Sequence, residues 1–409
     1  MKLIHVLYSF LLLVVMVVLY SCSNKEQIPV TANVDNTTSL MKGNPNSNPK
    51  ITVFATGFNN PRGLKFGPDG FLYVAEGGLG GNLTTTGLCD SVIPPIGPYI
   101  GGNTGSISKV DKNGIVTTVA TGLPSDQAAL GFRSSVADVA FIGNTLYALL
   151  GGAGCSHGVE STPNSIIKVN TDGTWNVVAD LSTYQKTHPT AVHNTDDFEP
   201  DGTWYSMVNV KGVFYAIEPN HCEMVKVTKN GDISRVLDFS AVYGHMVPTV
   251  LAYNGNFYVG NLGLFPVVAG SSNIYKVTPS GQSKIWATGF SSILGIAVDD
   301  NDRMFVLETS AVDGGPLPNT GRVIEVLPSG KKQIIADSLF FPTGMTLGPD
   351  NALYVSNKGF GPPIPGFGEI LRIQLSKDNH DNDHGKGHGD DNGHGDDNGH
   401  GHGDNGGHH

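Results

Sequence analysis

Charge is scarce in this chain: 15% of its 409 residues are Asp, Glu, Lys or Arg. No long stretch carries the apolar spacing of an amphipathic helix, which argues against a helical architecture. Basic residues are in deficit, 25 Lys and Arg against 36 Asp and Glu, for a formal net charge of −11. That balance argues against a nucleic acid or an anionic membrane surface as the main partner. The common catalytic signatures are missing too. There is no Gly-x-Ser-x-Gly elbow, no HExxH, no Gly-Lys-Ser/Thr phosphate cradle and no Cys-x-x-Cys pair. The glycines of Glu76 to Gly81 open no helix, so they read as a flexible loop and not a nucleotide loop. What is abundant is Gly, 54 residues, and Pro, 24 residues, the composition of an all-β protein rich in turns.

Those turns recur in a fixed setting. Pro61 to Glu76, PRGLKFGPDGFLYVAE, aligns without a gap on Pro342 to Asn357, PTGMTLGPDNALYVSN. Each copy is a short apolar strand, a Gly-Pro-Asp-Gly or Gly-Pro-Asp-Asn turn, and a strand ending Leu-Tyr-Val. Pro presets φ at the second turn position and Asp, Gly and Asn tolerate the other angles, so this is a β-hairpin signal. Aligned on the aromatic of the second strand, the copies number six: Tyr73, Tyr147, Tyr215, Tyr258, Phe305 and Tyr354. Third and fourth strands follow in the first five, Ser106–Val110 with Ile115–Ala120 being the first such pair. Four antiparallel strands per copy is the pattern of a propeller blade. The sixth copy stops after Glu369–Leu375, one strand short. Ile51–Phe58, ITVFATGF, has no hairpin before it yet matches the fourth strands that end ATGL (120–123) and ATGF (287–290). The expected fold is therefore an all-β, six-bladed propeller over residues 50–376, closed by its N-terminal strand, which leaves few sheet edges exposed.

Residues 50–376 resemble the ScyD/ScyE family of NHL-like, TolB-type six-bladed β-propellers, through VFATGFNNPRGLKFGPDGFLYVAEGG, GNTGSISKVDKNG and FPTGMTLGPDNALYVSNKGFG. The resemblance implies the fold. It implies little about activity, because many members of that family have none established.

In such a blade the second-to-third-strand loops share one face, and these loops carry nearly all the insertions: 77–105, 151–164, 262–272, 309–321 and 359–368. The excursion 181–202 opens on the same face, where function is expected to concentrate. The residue three after each aligned aromatic should stand at the mouth of the central channel. Round the ring these are Glu76, Leu150, Glu218, Asn261, Glu308 and Asn357. Glu76, Glu218, Asn261, Glu308 and Asn357 are oxygen donors of the kind Ca or Mg takes, so a divalent ion at the axis is the sharp expectation. Polar groups bonded to neighbouring backbone are the plain one. Ahead of each first strand the same register gives Arg62, Asp138, Ser206, Thr249, Leu294 and Thr343. General-base candidates near this face are His157, His188, His193, His221 and His245, with Asp196, Asp197 and Glu199 sharing a loop with His188 and His193. Cys89 and Cys155 occupy corresponding loops of adjacent blades and form the favoured disulfide; Cys155 with Cys222, or three free thiols, are the alternatives.

Residues 1–21 read as an export signal, almost wholly apolar from Leu3 to Tyr20 after Lys2. Leu19-Tyr20-Ser21-Cys22 resembles a lipoprotein cleavage box, which makes Cys22 the expected lipid anchor and 22–49 a flexible tether. From Lys377 the chain becomes Asp, Gly, Asn and His, with eight His and eight Asp against two Lys. Such a tail, 377–409, cannot build a core. It is either solvated and ligand-free or a weak multisite binder of Zn, Ni or Cu through His388, His394, His400 and His402. These readings predict an exported, membrane-anchored, monomeric lipoprotein with no nucleic-acid partner. Its looped face would hold a small molecule, glycan or protein. The competing reading is a Ca- or Mg-dependent lactonase, hydrolase or lyase.

Overall fold

The structure is a computed structural model and describes residues 41–42, 49–192, 195 and 198–375. The signal segment 1–21, the lipidation site Cys22, nearly all of the tether, His193, Asp196, Asp197 and the tail 377–409 with His388, His394, His400 and His402 lie outside the described residues.

The chain is a six-bladed β-propeller. Blade 1 runs outward from the axis as Pro61–Phe66, Leu72–Glu76, Ile100–Val110 and Val116–Gln127, each antiparallel to the last. The inner strands of blades 2 to 6 are Val136–Ile142, Ser206–Val210, Pro248–Asn254, Ile293–Val298 and Gly344–Leu347. They neighbour one another in ring order, and the last returns to Pro61–Phe66. Blade 6 takes its fourth strand from the front of the chain: Lys50–Phe58 pairs antiparallel with Gly368–Gln374, Ile51 opposite Ile373. Met41–Lys42 adds a short parallel strand outside blade 5, opposite Gln333 and Ile334.

The turns form as their residues dictate. In both GPD turns the first residue accepts from the fourth, Gly70 N to Gly67 O at 3.0 Å and Asn351 N to Gly348 O at 3.0 Å. The fourth residue lies at positive φ, +81° for Gly70 and +55° for Asn351, angles that Gly and Asn adopt at least cost. The turn aspartate then ties the aromatic four residues on: Tyr73 Oη donates to Asp69 at 2.8 Å and Tyr354 Oη to Asp350 at 3.1 Å. The ring itself packs on the next blade. Tyr73 meets Phe141, Tyr147 meets Phe214, Tyr215 meets Phe257, and Tyr354 meets Phe66, with centroids 4.4–5.0 Å apart. Each such buried aromatic contributes on the order of 2–3 kcal/mol. In four of the six blades this one residue thus anchors two blades at once, whereas Tyr258 meets Trp286 of its own blade. Near the axis the strands crowd: a Cβ at Gly63 would sit 2.2 Å from Asp138 Oδ1, and one at Gly344 2.5 Å from the Arg62 carbonyl.

Three details differ from the sequence expectation. The third and fourth strands of blade 1 extend through Ile100–Gly105 and Thr121–Gln127, where the sequence suggests loop, and a two-residue strand, Arg133–Ser134, pairs with their end. The excursion after blade 2 opens as a helix, α1 (Leu181–Thr187), whose Asp180 cap accepts from Thr183 N. A second short helix, α2 (Phe239–Tyr243), is capped likewise by Asp238.

Candidate functional site

The ring positions singled out for a metal are all buried, but each serves its own blade corner. Glu76 accepts from Asn59 N at 2.7 Å and Ser108 Oγ at 2.5 Å. Glu218 accepts from the backbone N–H of Thr203, Asn220 and His221 at 2.7, 3.1 and 2.5 Å. Glu308 accepts from Ser291 N at 2.8 Å and pairs with Arg322 at 2.5 Å. Asn261 accepts from Asn273 N at 2.7 Å and donates to Met246 O at 2.8 Å, while Asn357 accepts from Phe340 N at 3.0 Å and donates to Glu369. Four of the five take an amide of the segment entering the inner strand of their own blade; Asn261 holds that segment through its carbonyl. Leu150 has no such group, and there the backbone substitutes, Gly151 N donating to Ser135 O at 2.7 Å. These donors do not fit a shared divalent ion. Their lone pairs are committed to separate corners, and none of the five lines the axial cavity. Among the described residues no group of three His, Cys, Asp or Glu is disposed to hold a metal. Burial pushes the Glu76 and Glu308 carboxyls up, against the lowering pull of their hydrogen bonds and of Arg322.

The other ring of positions does meet at the axis. Asp138, Leu294 and Thr343 line the channel between the inner strands, and Arg62, Thr249 and Leu294 line its mouth. Asp138 bridges to blade 3 by accepting from Met207 N at 2.9 Å. Burial raises its pKa. Thr249 donates to Ile293 O and Thr343 to Pro61 O, both at 2.5 Å, linking blade 4 to 5 and blade 6 to 1. Tyr205 crosses the opening: from the edge of blade 3 its hydroxyl donates to Thr343 O of blade 6 at 2.9 Å.

Above Tyr205 the insertions enclose a cavity of about 170 Å3. Its walls are aromatic, from Tyr99, Phe132, Trp204, Tyr205, Phe265 and Phe360, with Phe132 and Phe360 in edge contact at 5.6 Å across blades 1 and 6. Arg62 is 5% exposed; its guanidinium lies 4.5 Å from the Phe360 ring centroid and 5.9 Å from that of Tyr205, and donates to Arg133 O. Among the described residues no carboxylate pairs with it.

One wall of the cavity backs onto a cluster of buried titratable groups. His157 is fully buried on a short turn held by the Cys89–Cys155 disulfide. Its Nδ1 lies 2.5 Å from Asp126 Oδ2, and its Nε2 lies 2.8 Å from Gly202 O and 3.6 Å from Glu199 Oε2. The Tyr99 ring stacks on the imidazole and its hydroxyl donates to Glu199 Oε1 at 2.9 Å. Glu199 and Tyr99 both line the cavity, and Glu199 Oε2 has no hydrogen-bond partner among the described residues. Burial alone would push the imidazole down, but the Asp126 bond and the surrounding carboxylates outweigh it and carry His157 up to about 9. Burial pushes Glu199 up to about 8, against the lowering effect of the His157 charge. At neutral pH this is an imidazolium beside a neutral carboxylic acid.

Of the other histidines, His221 donates to Glu199 O at 2.8 Å and stacks on Phe198. His245 lines the cavity with its Nδ1 3.2 Å from Cys222 Sγ, a buried thiol that burial pushes up to about 12. His188 is exposed and stacks on Tyr184. Sequence reasoning offered His157 as one of five and joined Glu199 to His188 and His193. Asp126 and Tyr99 were not found. The only pointer available was that Cys155 fixes His157 two residues later.

No protein-family model matches the chain, and no curated protein matches it. Among solved structures, a protein of unknown function from Bacteroides thetaiotaomicron aligns over 80% of this chain and 76% of its own, with 10% identity and a TM-score of 0.51. A glucose dehydrogenase (12%, 80% and 100% covered, TM-score 0.49) and a gluconolactonase of Xanthomonas campestris (8%, 80% and 90% covered, TM-score 0.47) are also similar. At these identities the likeness concerns the fold alone.

Proposed function

We propose that this chain is a binding protein of the cell envelope, an exported lipoprotein anchored through Cys22 that presents its propeller as a scaffold for a small molecule in the axial cavity. The observation that carries this reading is the cavity itself: largely apolar with six aromatic side chains in its walls, crossed at its base by Tyr205, and built from insertions of several blades. Concave apolar sites with a few converging polar groups are the usual form of a small-molecule site. The matching segments around GFNNPRGLKFGPDG and FPTGMTLGPDN support placing it beside the ScyD/ScyE propellers. The test is titration of the full chain with 1-anilinonaphthalene-8-sulfonate, an aromatic probe that fluoresces in apolar sites. Saturable binding that is lost in Leu262→Trp, which fills the cavity, supports the reading; unaltered binding in that variant overturns it.

A hydrolase is the second reading, favoured by the Asp126–His157–Glu199 array, since a neutral carboxylic acid at a cavity wall can donate a proton. Turnover of a lactone or aryl ester that falls at least about 100-fold in Glu199→Gln would replace binding by catalysis.

A further inference from the structure

Arg62 is the buried cation of the cavity wall. An arginine carries its charge at any physiological pH, and a buried charge is costly unless something of opposite sign meets it. Arg235 pairs with Glu223 at 2.8 Å, Arg303 with Asp299 at 2.7 Å and Arg322 with Glu308 at 2.5 Å, while Arg133, as buried as Arg62, donates to carbonyl oxygens and Gln127 Oε1 and feels the charge of Asp126. Arg62, as buried as any of them, meets a carbonyl, the Tyr205 hydroxyl and two aromatic faces, with no carboxylate paired to it among the described residues, and it lines the cavity. Phe360 and Tyr205 fix the guanidinium plane without neutralising it.

We propose that the cavity binds a small aromatic carboxylate, its anionic group on Arg62 and its ring between the aromatic walls. This rests on the reading of the cavity as a binding site. The fork of a guanidinium matches a carboxylate. The walls supply ring contacts, and the cavity contains no Lys and no second Arg beside Arg62 among its lining residues, so a multiply charged phosphate finds half the charge it needs. Glu199 fits the same occupant, because a neutral carboxyl does not repel an anion. The groups facing it are the Tyr99 hydroxyl, His157 with Asp126 behind it, Glu218 and His221 from the blade 3 corner, and Asp201 on its own loop. Burial carries Glu199 up to about 8, so above that pH it ionises and the site turns against anions.

The experiment is calorimetric titration of the full chain with 2-naphthoate and with its neutral isostere 2-naphthamide. The carboxylate is expected to bind at least about tenfold more tightly. Arg62→Met is expected to erase that preference and Arg62→Lys to keep part of it. Above pH 8 naphthoate affinity should fall in the wild type and hold in Glu199→Gln. Should Arg62→Met fail to fold, the two probes on the wild type still decide. Equal binding of amide and carboxylate overturns the anion assignment and leaves the cavity reading standing, whereas binding of neither sinks both. Displacement of naphthoate by millimolar inorganic phosphate also overturns the assignment.

Discussion

Two sets of buried acids lie within one propeller and do opposite things. Glu76, Glu218 and Glu308 sit at equivalent corners, and each is met by backbone amides or an arginine. Asp126, Glu199 and His157 sit at no equivalent positions, are held by insertions, and meet one another, with one carboxylate oxygen left over. The repeated acids stitch blades; of the unrepeated ones Glu199 faces the cavity, with His157 and Asp126 behind it. A position that every blade must fill is constrained by the blade's own hydrogen bonding, so it has little capacity left for a ligand. An insertion owes nothing to the repeat and can place a group where the fold gives it no partner.

Breaking a corner should cost most. Glu218→Ala strands three amide donors, two of them fully buried, and is expected to destabilise the protein by about 4 kcal/mol in chemical denaturation. Glu199→Gln, which replaces a neutral acid by a neutral amide, should cost less than about 1 kcal/mol at pH 7. If the two costs were equal, the distinction between stitching and site-forming acids would fail.

The insertions have their own stitch. The Cys89–Cys155 disulfide spans 66 residues, and replacing both cysteines by serine is expected to cost about 3 kcal/mol. The same change should loosen the turn that carries His157, seen as faster amide exchange at 155–158.

A smaller effect separates the two sets by pH. His157 and Glu199 both hold their protons more tightly folded than unfolded, from ordinary values of 6.5 and 4.5 up to about 9 and 8. Between those limits the folded state binds more protons, so their stabilisation is full at low pH and is lost as pH rises toward 9. The melting temperature should fall by a few °C between pH 6 and 9, and by less in Glu199→Gln. A rise over that range would contradict the imidazolium–acid pairing.

The ends of the chain provide the least perturbing test. Deleting 377–409 should leave the melting temperature unchanged while abolishing zinc uptake measured by equilibrium dialysis, and unchanged uptake would remove the tail as a metal binder.

The sequence by itself determined the ring. Strand alternation and the aromatic three residues before each corner are local signals repeated six times, the GPD turn marks the first and last copies, and Ile51–Phe58 declared its place by matching the fourth strands of other blades. Even the Asp69–Tyr73 and Asp350–Tyr354 bonds are four residues apart and follow from the turn. The five proposed metal donors were correctly grouped as equivalent, yet equivalence says where a residue sits in a blade and not which way its oxygens face. Backbone amides that needed acceptors decided that. Only the tertiary structure brought Asp126 to His157, 31 residues apart, and both to Glu199. Those segments are aperiodic, and their meeting depends on a disulfide, a stacked Tyr99 and the exclusion of water, none of which leaves a pattern in sequence. Arg62 was legible as a residue at the mouth of the channel. That it is buried there with no carboxylate paired to it among the described residues is a property of everything packed around it.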